Sequence, residues 1–104
     1  MPQKQIAGVI IDFDDENFMI NHNQWNEQIA HELANEEGIE LTDRHFKVLE
    51  YMRKEFAAKG TGPSLRALKN NSGVQTKELY QLFPKGPAKK AARIAGITKP
   101  QGCI

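Results

Sequence analysis

The sequence predicts a mainly α fold of the α+β class: a small bundle of about five helices, an N-terminal β-hairpin and a flexible C-terminal arm. Three observations predict it. Apolar residues recur at three- and four-residue steps in five stretches, each followed by glycine or proline. Two short β-prone runs precede these stretches. The last eight residues contain Pro100 and Gly102, which disfavour regular structure.

Residues 1–20 form the predicted hairpin region. Val9-Ile10-Ile11 and Phe18-Met19-Ile20 are apolar and β-prone, and Ala7-Gly8 and residues 14–17 supply turn chemistry beside them. The pattern predicts a hairpin or a three-strand meander. So small a sheet must pack against helices to be stable.

The first two predicted helices both end at a glycine. The first covers residues 24–37, and Gly38 suits its left-handed C-terminal position. Thr42 or Asp43 can cap the second, which Gly60 terminates.

The next three predicted helices are shorter. Ser64 caps the third, and the fourth begins at Thr76 and stops at Pro84. Pro87 suits the first turn of the fifth helix, which Gly96 ends.

The chain is therefore predicted to be a single domain, residues 1–104, with the hairpin region at 1–20, the helical bundle at 24–96 and a mobile arm at 97–104. The arm is expected to stay extended and flexible because of Gly96, Pro100 and Gly102. Extended at roughly 3.3 Å per residue, it would carry the sulfur of Cys103 roughly 20–25 Å from the body.

Composition excludes several classes of protein. The chain has 104 residues and one cysteine, so an internal disulfide is excluded and a reducing cytoplasm is expected. No apolar run approaches the roughly 20 residues of a membrane span, and no secretory signal pattern is present.

Charge is distributed unevenly along the chain. Residues 1–58 hold 5 Lys and Arg against 12 Asp and Glu, whereas residues 59–104 hold 9 Lys and Arg against Glu78 alone. This asymmetry is compatible with an anionic partner for the basic half, either nucleic acid or an acidic protein face. It is equally compatible with a solvated helix face whose charges are balanced in three dimensions.

No motif predicts a metal or cofactor site. Residues 12–16 resemble the opening of a calcium loop, but Asn17 and Asn23 stand where glycine and glutamate are required. The three histidines have no metal-ligand spacing and are expected at the surface or its boundary: His22, His31 and His45. A catalytic pair between Cys103 and one of them stays open, although a mobile arm fixes a nucleophile poorly.

Residues 64–71 and 76–83 form a helix pair joined by a short turn, which is compatible with a DNA-binding helix-turn-helix. Such pairs are also common in helical folds that have no DNA role. The basic residues available for phosphate contacts in and after this pair are Arg66, Lys69, Lys77, Lys85, Lys89, Lys90 and Arg93.

The C-terminal third carries a family resemblance. Residues 82–89, LFPKGPAK, are followed by Ile94-Ala95-Gly96, by Lys99-Pro100 and by Cys103. Together they resemble the DsrC/TusE family of sulfur-relay proteins, and the similarity extends back to the region of Trp25. The resemblance implies a small helical bundle with an N-terminal hairpin and a flexible arm.

The resemblance also implies a role for Cys103. The penultimate cysteine of the family carries persulfide sulfur. In the DsrC branch a second cysteine stands eleven residues earlier, where this chain has Ala92. The chain therefore resembles the TusE branch, whose relay passes sulfur toward 2-thiouridine in tRNA. Two alternatives stay open: a DsrC-like partner or regulatory (gamma) subunit of a sulfite reductase, and a helix-turn-helix nucleic-acid-binding regulator.

The implied partners are an upstream persulfide donor protein and a downstream thiolase-type acceptor, with sulfite reductase for the first alternative and tRNA held by the acceptor. The chain is not expected to turn over alone, to need a cofactor or to bind a membrane. Docking is expected to be steered by Lys85, Lys89, Lys90, Arg93 and Lys99.

Overall fold

The computed structural model describes residues 3–100 and has the predicted mainly α architecture. The hairpin comprises β1, Gln3–Ile6, and β2, Val9–Asp12. The helices are α1, Glu27–Glu36; α2, Asp43–Lys59; α3, Leu65–Asn71; α4, Thr76–Leu82; and α5, Pro87–Ile94. A short 3-10 helix, His22–Gln24, precedes α1. The predicted fold class is thus confirmed.

The hairpin is antiparallel and pairs Ile6 with Val9 across a two-residue turn. Ala7 and Gly8 both have positive φ, 52° and 81°, which is the geometry that matches the twist of the flanking strands. The run Phe18-Met19-Ile20 does not form a third strand. It makes one isolated bridge, between Phe13 and Met19, because residues 14–17 turn the chain back too tightly for a longer ladder.

Helix α1 begins at Glu27, three residues later than the apolar pattern predicts. The Asn26 side chain accepts a hydrogen bond from the Ile29 backbone N–H at 2.9 Å, which defines the first turn. Trp25, just before this cap, has extended backbone angles. The predicted glycine stops are confirmed: Gly38, Gly60 and Gly96 all have positive φ.

Helix α5 lies at the centre of the bundle. The most extensive contacts between helices all involve α5, which packs against each of the other four. Its buried face consists mainly of alanines, which let the neighbouring helices approach closely. Ala88, Ala91 and Ala92 of α5 are fully buried, as is Ala95, which caps its C-terminal end.

His45 corrects the prediction that all three histidines lie at the surface or its boundary. It is only 6% exposed, in the first turn of α2. Its Nδ1 accepts from the Thr42 backbone N–H at 3.0 Å, so Nε2 carries the proton and donates to the Leu82 carbonyl at 2.9 Å. Burial lowers the pKa of His45, and the neutral form is the one that these two contacts require.

The start of the predicted arm also differs from expectation. Ile97 is 1% exposed and belongs to the core, and its N–H donates to the Ala92 carbonyl at 3.1 Å. Pro100 is buried and forms a parallel bridge with Gly62. Residues 97–100 therefore lie against the body because Ile97 contributes apolar area to the core.

Candidate functional site

Cys103 and Gly102, the residues predicted to carry sulfur and to loosen the arm, lie outside the described residues. The described residues closest to them in sequence are residues 94–100, which we call the root segment. The root segment begins at the C-terminal end of α5 and runs to Pro100. The contacts that hold it decide where the following residues start.

Trp25 holds the first residue of the root segment. Its indole Nε1 donates a hydrogen bond of 2.8 Å to the Ile94 carbonyl, although the two residues are 69 positions apart. The last carbonyls of a helix have no partner within the helix, so this contact satisfies one of them. It ties the end of α5 to the segment that leads into α1.

Arg53, on α2, holds the next residue. One guanidinium nitrogen, Nη1, donates to the Ala95 carbonyl at 2.7 Å, and the other, Nη2, donates to the His22 carbonyl at 3.0 Å. The guanidinium carbon lies 4.3 Å from the ring centroid of Trp25, a cation–π distance. Burial lowers the pKa of Arg53, but an arginine stays charged at neutral pH.

Gly96, the confirmed stop of α5, packs closely against two other side chains. Its φ is +70°, and a Cβ placed on it would lie 2.6 Å from Trp25 Cδ1 and 2.8 Å from Met19 Sδ. Glycine is therefore required because the backbone turns left-handed against an aromatic ring. Pro100, also assigned to arm flexibility, is instead paired with Gly62.

Three of the five predicted docking cations are engaged in ion pairs. Arg93 pairs with Glu37 at 2.5 Å, and Lys90 approaches the same carboxylate at 3.9 Å. Lys99 pairs with Glu16 at 2.7 Å.

Arg93 is also only 17% exposed, and its guanidinium packs 5.2 Å from the Phe18 ring centroid. Arg93 therefore has a structural role in the fold, and its predicted part in docking stays a prediction. Lys85 is exposed, Lys89 is half-buried, and neither makes an ion pair within residues 3–100.

Two open cavities flank the C-terminal end of α2. One, of about 540 Å³, is lined by His22, Asn23, Arg53, Phe56, Ala57 and Gly60. The other, of about 290 Å³, is lined by Glu55, Lys59, Thr61, Gly62, Pro63, Ser64 and Ala67. The first is lined by Arg53, which binds Ala95, and the second by Gly62, which pairs with Pro100, so both lie beside the root segment.

The sequence pattern does not single out Trp25 or Arg53, the two residues that hold the root segment. Both lie within stretches predicted to be helical, and both make contacts with residues far away in the chain. The one available signal was the position of Arg53, which stands four residues after Leu49 and three before Phe56 on an otherwise apolar stripe. A charge in that position indicates a specific buried partner.

No cluster of three or more potential metal-ligating side chains occurs in the part of the chain that the structure describes. Within the same residues, no helix has the length and apolar character needed to cross a membrane.

These features define a class of protein: a small helical bundle with an N-terminal hairpin, whose central helix leads into the root segment that precedes the single cysteine of the sequence. The chain belongs to the family of DsrC like proteins, whose model matches residues 5–104. The resemblance inferred from the sequence is thus confirmed.

Individual relatives are similar to this chain over almost its whole length. Sulfurtransferase TusE from Yersinia pseudotuberculosis is 40% identical, and the alignment covers 96% of this chain and 99% of that protein. The crystal structure of the oxidized gamma-subunit of the dissimilatory sulfite reductase (DsrC) from Archaeoglobus fulgidus is 34% identical, with a TM-score of 0.82 over 99% of this chain and 100% of that one. The NMR structure of Allochromatium vinosum DsrC is 32% identical, also with a TM-score of 0.82, over 98% and 97%.

Proposed function

We propose that this protein is a sulfur carrier that accepts persulfide sulfur on Cys103 and passes it to a partner protein. The observation that carries the proposal is the 40% identity to a TusE sulfurtransferase over 96% of the chain, together with the single cysteine. The reducing cytoplasm is the compartment in which such a free thiol persists.

The proposed loading step is a displacement at sulfur. The Cys103 thiolate attacks the terminal sulfur of a persulfide on an upstream donor protein, and a new S–S bond forms. The S–S bond of the donor breaks and its thiolate leaves, so no external oxidant is needed. A thiolase-type acceptor then receives the terminal sulfur, and we assign the product to 2-thiouridine synthesis in tRNA held by that acceptor.

A single arm cysteine limits the chemistry. Ala92, at the position of the second DsrC cysteine, is fully buried in α5 and has no sulfur. The chain can therefore form a persulfide or an intermolecular disulfide on Cys103, but not an internal bond. This favours the TusE-type role.

The second candidate is a partner or regulatory subunit of a sulfite reductase. The similarity to the gamma-subunit from Archaeoglobus fulgidus favours it, because the two folds superimpose over their full lengths. Co-purification of a sirohaem enzyme with the tagged protein would support this candidate.

The first test is intact-mass analysis after incubation with a cysteine desulfurase, cysteine and candidate relay donors. We expect the mass to rise by one sulfur atom, reversibly with reductant, and peptide mapping to locate the atom on Cys103. Cys103→Ser and the wild-type protein alkylated beforehand are the controls. Sulfur loading of the serine variant, or no loading with any donor that is active on a known carrier, would contradict the proposal.

A further inference from the structure

We propose that Arg53 is a positioning residue: together with Trp25 it fixes the direction in which the chain leaves α5 and so sets the course of residues 95–100, from which the cysteine-bearing residues continue. The functional meaning of this positioning rests on the proposed sulfur transfer, whereas the contacts of Arg53 and Trp25 are independent of it. The root segment, residues 94–100, is the part of the chain through which both residues act.

The contacts of Arg53 join two separate segments. Its two terminal nitrogens donate to the carbonyls of Ala95, just after α5, and His22, in the 3-10 helix. A planar guanidinium holds two acceptors at a fixed angle, whereas a lysine ammonium on a flexible stem does not. Stacking on Trp25 at 4.3 Å fixes the plane of the guanidinium as well. The direction of the root segment is therefore tied to the position of the 3-10 helix.

The nature of this contact argues for a role beyond stability. Burial lowers the pKa of Arg53, so the surroundings oppose its charge, and its hydrogen bonds go to neutral carbonyls. An apolar side chain would fill the same space without placing a cation there. What the apolar side chain would lack is the pair of directed hydrogen bonds.

The far end of the root segment is held as well. Gly62 pairs with Pro100, and a Cβ on Gly62 would lie 3.0 Å from the Thr98 carbonyl oxygen and 3.4 Å from Ile97 Cδ1. The chain is thus attached to the body at Ala95 and again at Pro100.

Two attachments shorten the reach of the thiol. Cys103 is three residues beyond Pro100, so covalent geometry limits its Cα to about 10 Å from the Cα of Pro100, whereas a chain extended from residue 97 would carry it roughly 20 Å. The volume that the thiol can sample is then measured from Pro100, which is paired with Gly62, and not from the end of α5. Such confinement raises the fraction of encounters with correct geometry.

The direct test places a nitroxide spin label on the single cysteine and maps the broadening of backbone amide signals by NMR. In the otherwise wild-type protein we expect broadening around residues 60–63. Arg53→Lys keeps the positive charge but loses the planar guanidinium that binds two carbonyls at once. In this variant we expect the broadening to spread to amides on other faces of the molecule. Trp25→Phe, which removes the donor to Ile94 but keeps an aromatic ring, is a second variant should the first fail to fold. Arg44→Lys, in an exposed ion pair with Glu78, is the control.

The functional readout compares two reactions of Cys103. For Arg53→Lys we expect an unchanged rate with a small disulfide reagent but a roughly 10-fold slower sulfur transfer from the donor protein. Identical broadening maps in wild type and both variants would overturn the inference, as would equal loss in the two reactions. A wild-type protein that shows the confined map but accepts no sulfur would instead refute the proposed function and leave the positioning intact.

Discussion

Replacing Gly96 with alanine tests the close packing at the end of α5. Alanine at φ +70° costs about 1–2 kcal/mol for the left-handed backbone. The added Cβ would lie 2.6 Å from Trp25 Cδ1 and 2.8 Å from Met19 Sδ, so the neighbours must move. Overpacking of this kind costs about 1–3 kcal/mol. We therefore expect the free energy of unfolding to fall by about 2–5 kcal/mol in Gly96→Ala.

Two other glycines provide matched controls. Gly38 and Gly60 also follow helices with φ of +72° and +76°, but a Cβ on either meets no atom within 4 Å. Their alanine variants should lose only the backbone term of about 1–2 kcal/mol. Urea unfolding followed by far-ultraviolet circular dichroism measures all three. A Gly96→Ala midpoint equal to that of Gly60→Ala would refute the steric argument.

Two further predictions concern charged and titratable groups. Burial lowers the pKa of His45 in the folded state below its ordinary 6.5. The contribution of neutral His45 to the free energy of unfolding is therefore complete above pH 6.5, and it is lost as the pH falls from 6.5 through the folded-state pKa. Urea midpoints across this range should therefore fall more steeply for wild type than for His45→Gln, and parallel curves would contradict this. Arg93→Ala breaks a largely buried pair with Glu37 and should cost about 1.5–3 kcal/mol. Arg44→Ala breaks an exposed pair and should cost less, so equal losses in thermal unfolding would count against this difference.

The sequence predicted the C-terminal ends of α1 and α2 and the start of α3 correctly because these depend on local chemistry. Glycine at the C-terminal position of a helix and serine at the cap act through hydrogen bonds within a few residues. Ser64, Gly38 and Gly60 therefore behave as expected. The hairpin turn at Ala7 and Gly8 is local in the same sense.

The candidate site was less predictable because its contacts join distant parts of the chain. Nothing near Trp25 in sequence indicates that its indole reaches Ile94, and nothing near Arg93 indicates that Glu37 neutralises it. A count of the charges in residues 59–104 cannot distinguish the cations that form ion pairs in the fold from those that do not. The fold decides which of them form ion pairs and which, like Lys85, have no ion-pair partner among residues 3–100.

The central position of α5 has a consequence for folding during synthesis. The four helices that precede α5 bury their apolar faces chiefly against it, and they leave the ribosome first. Until residues 87–97 have been made, those faces lack their main packing partner, so the nascent chain is an incomplete state with exposed apolar surface, of the kind that chaperones recognise. The contacts that complete the core span long sequence separations, which slows folding. The segment that precedes the cysteine is therefore also the one whose arrival turns the chain into a cooperative unit.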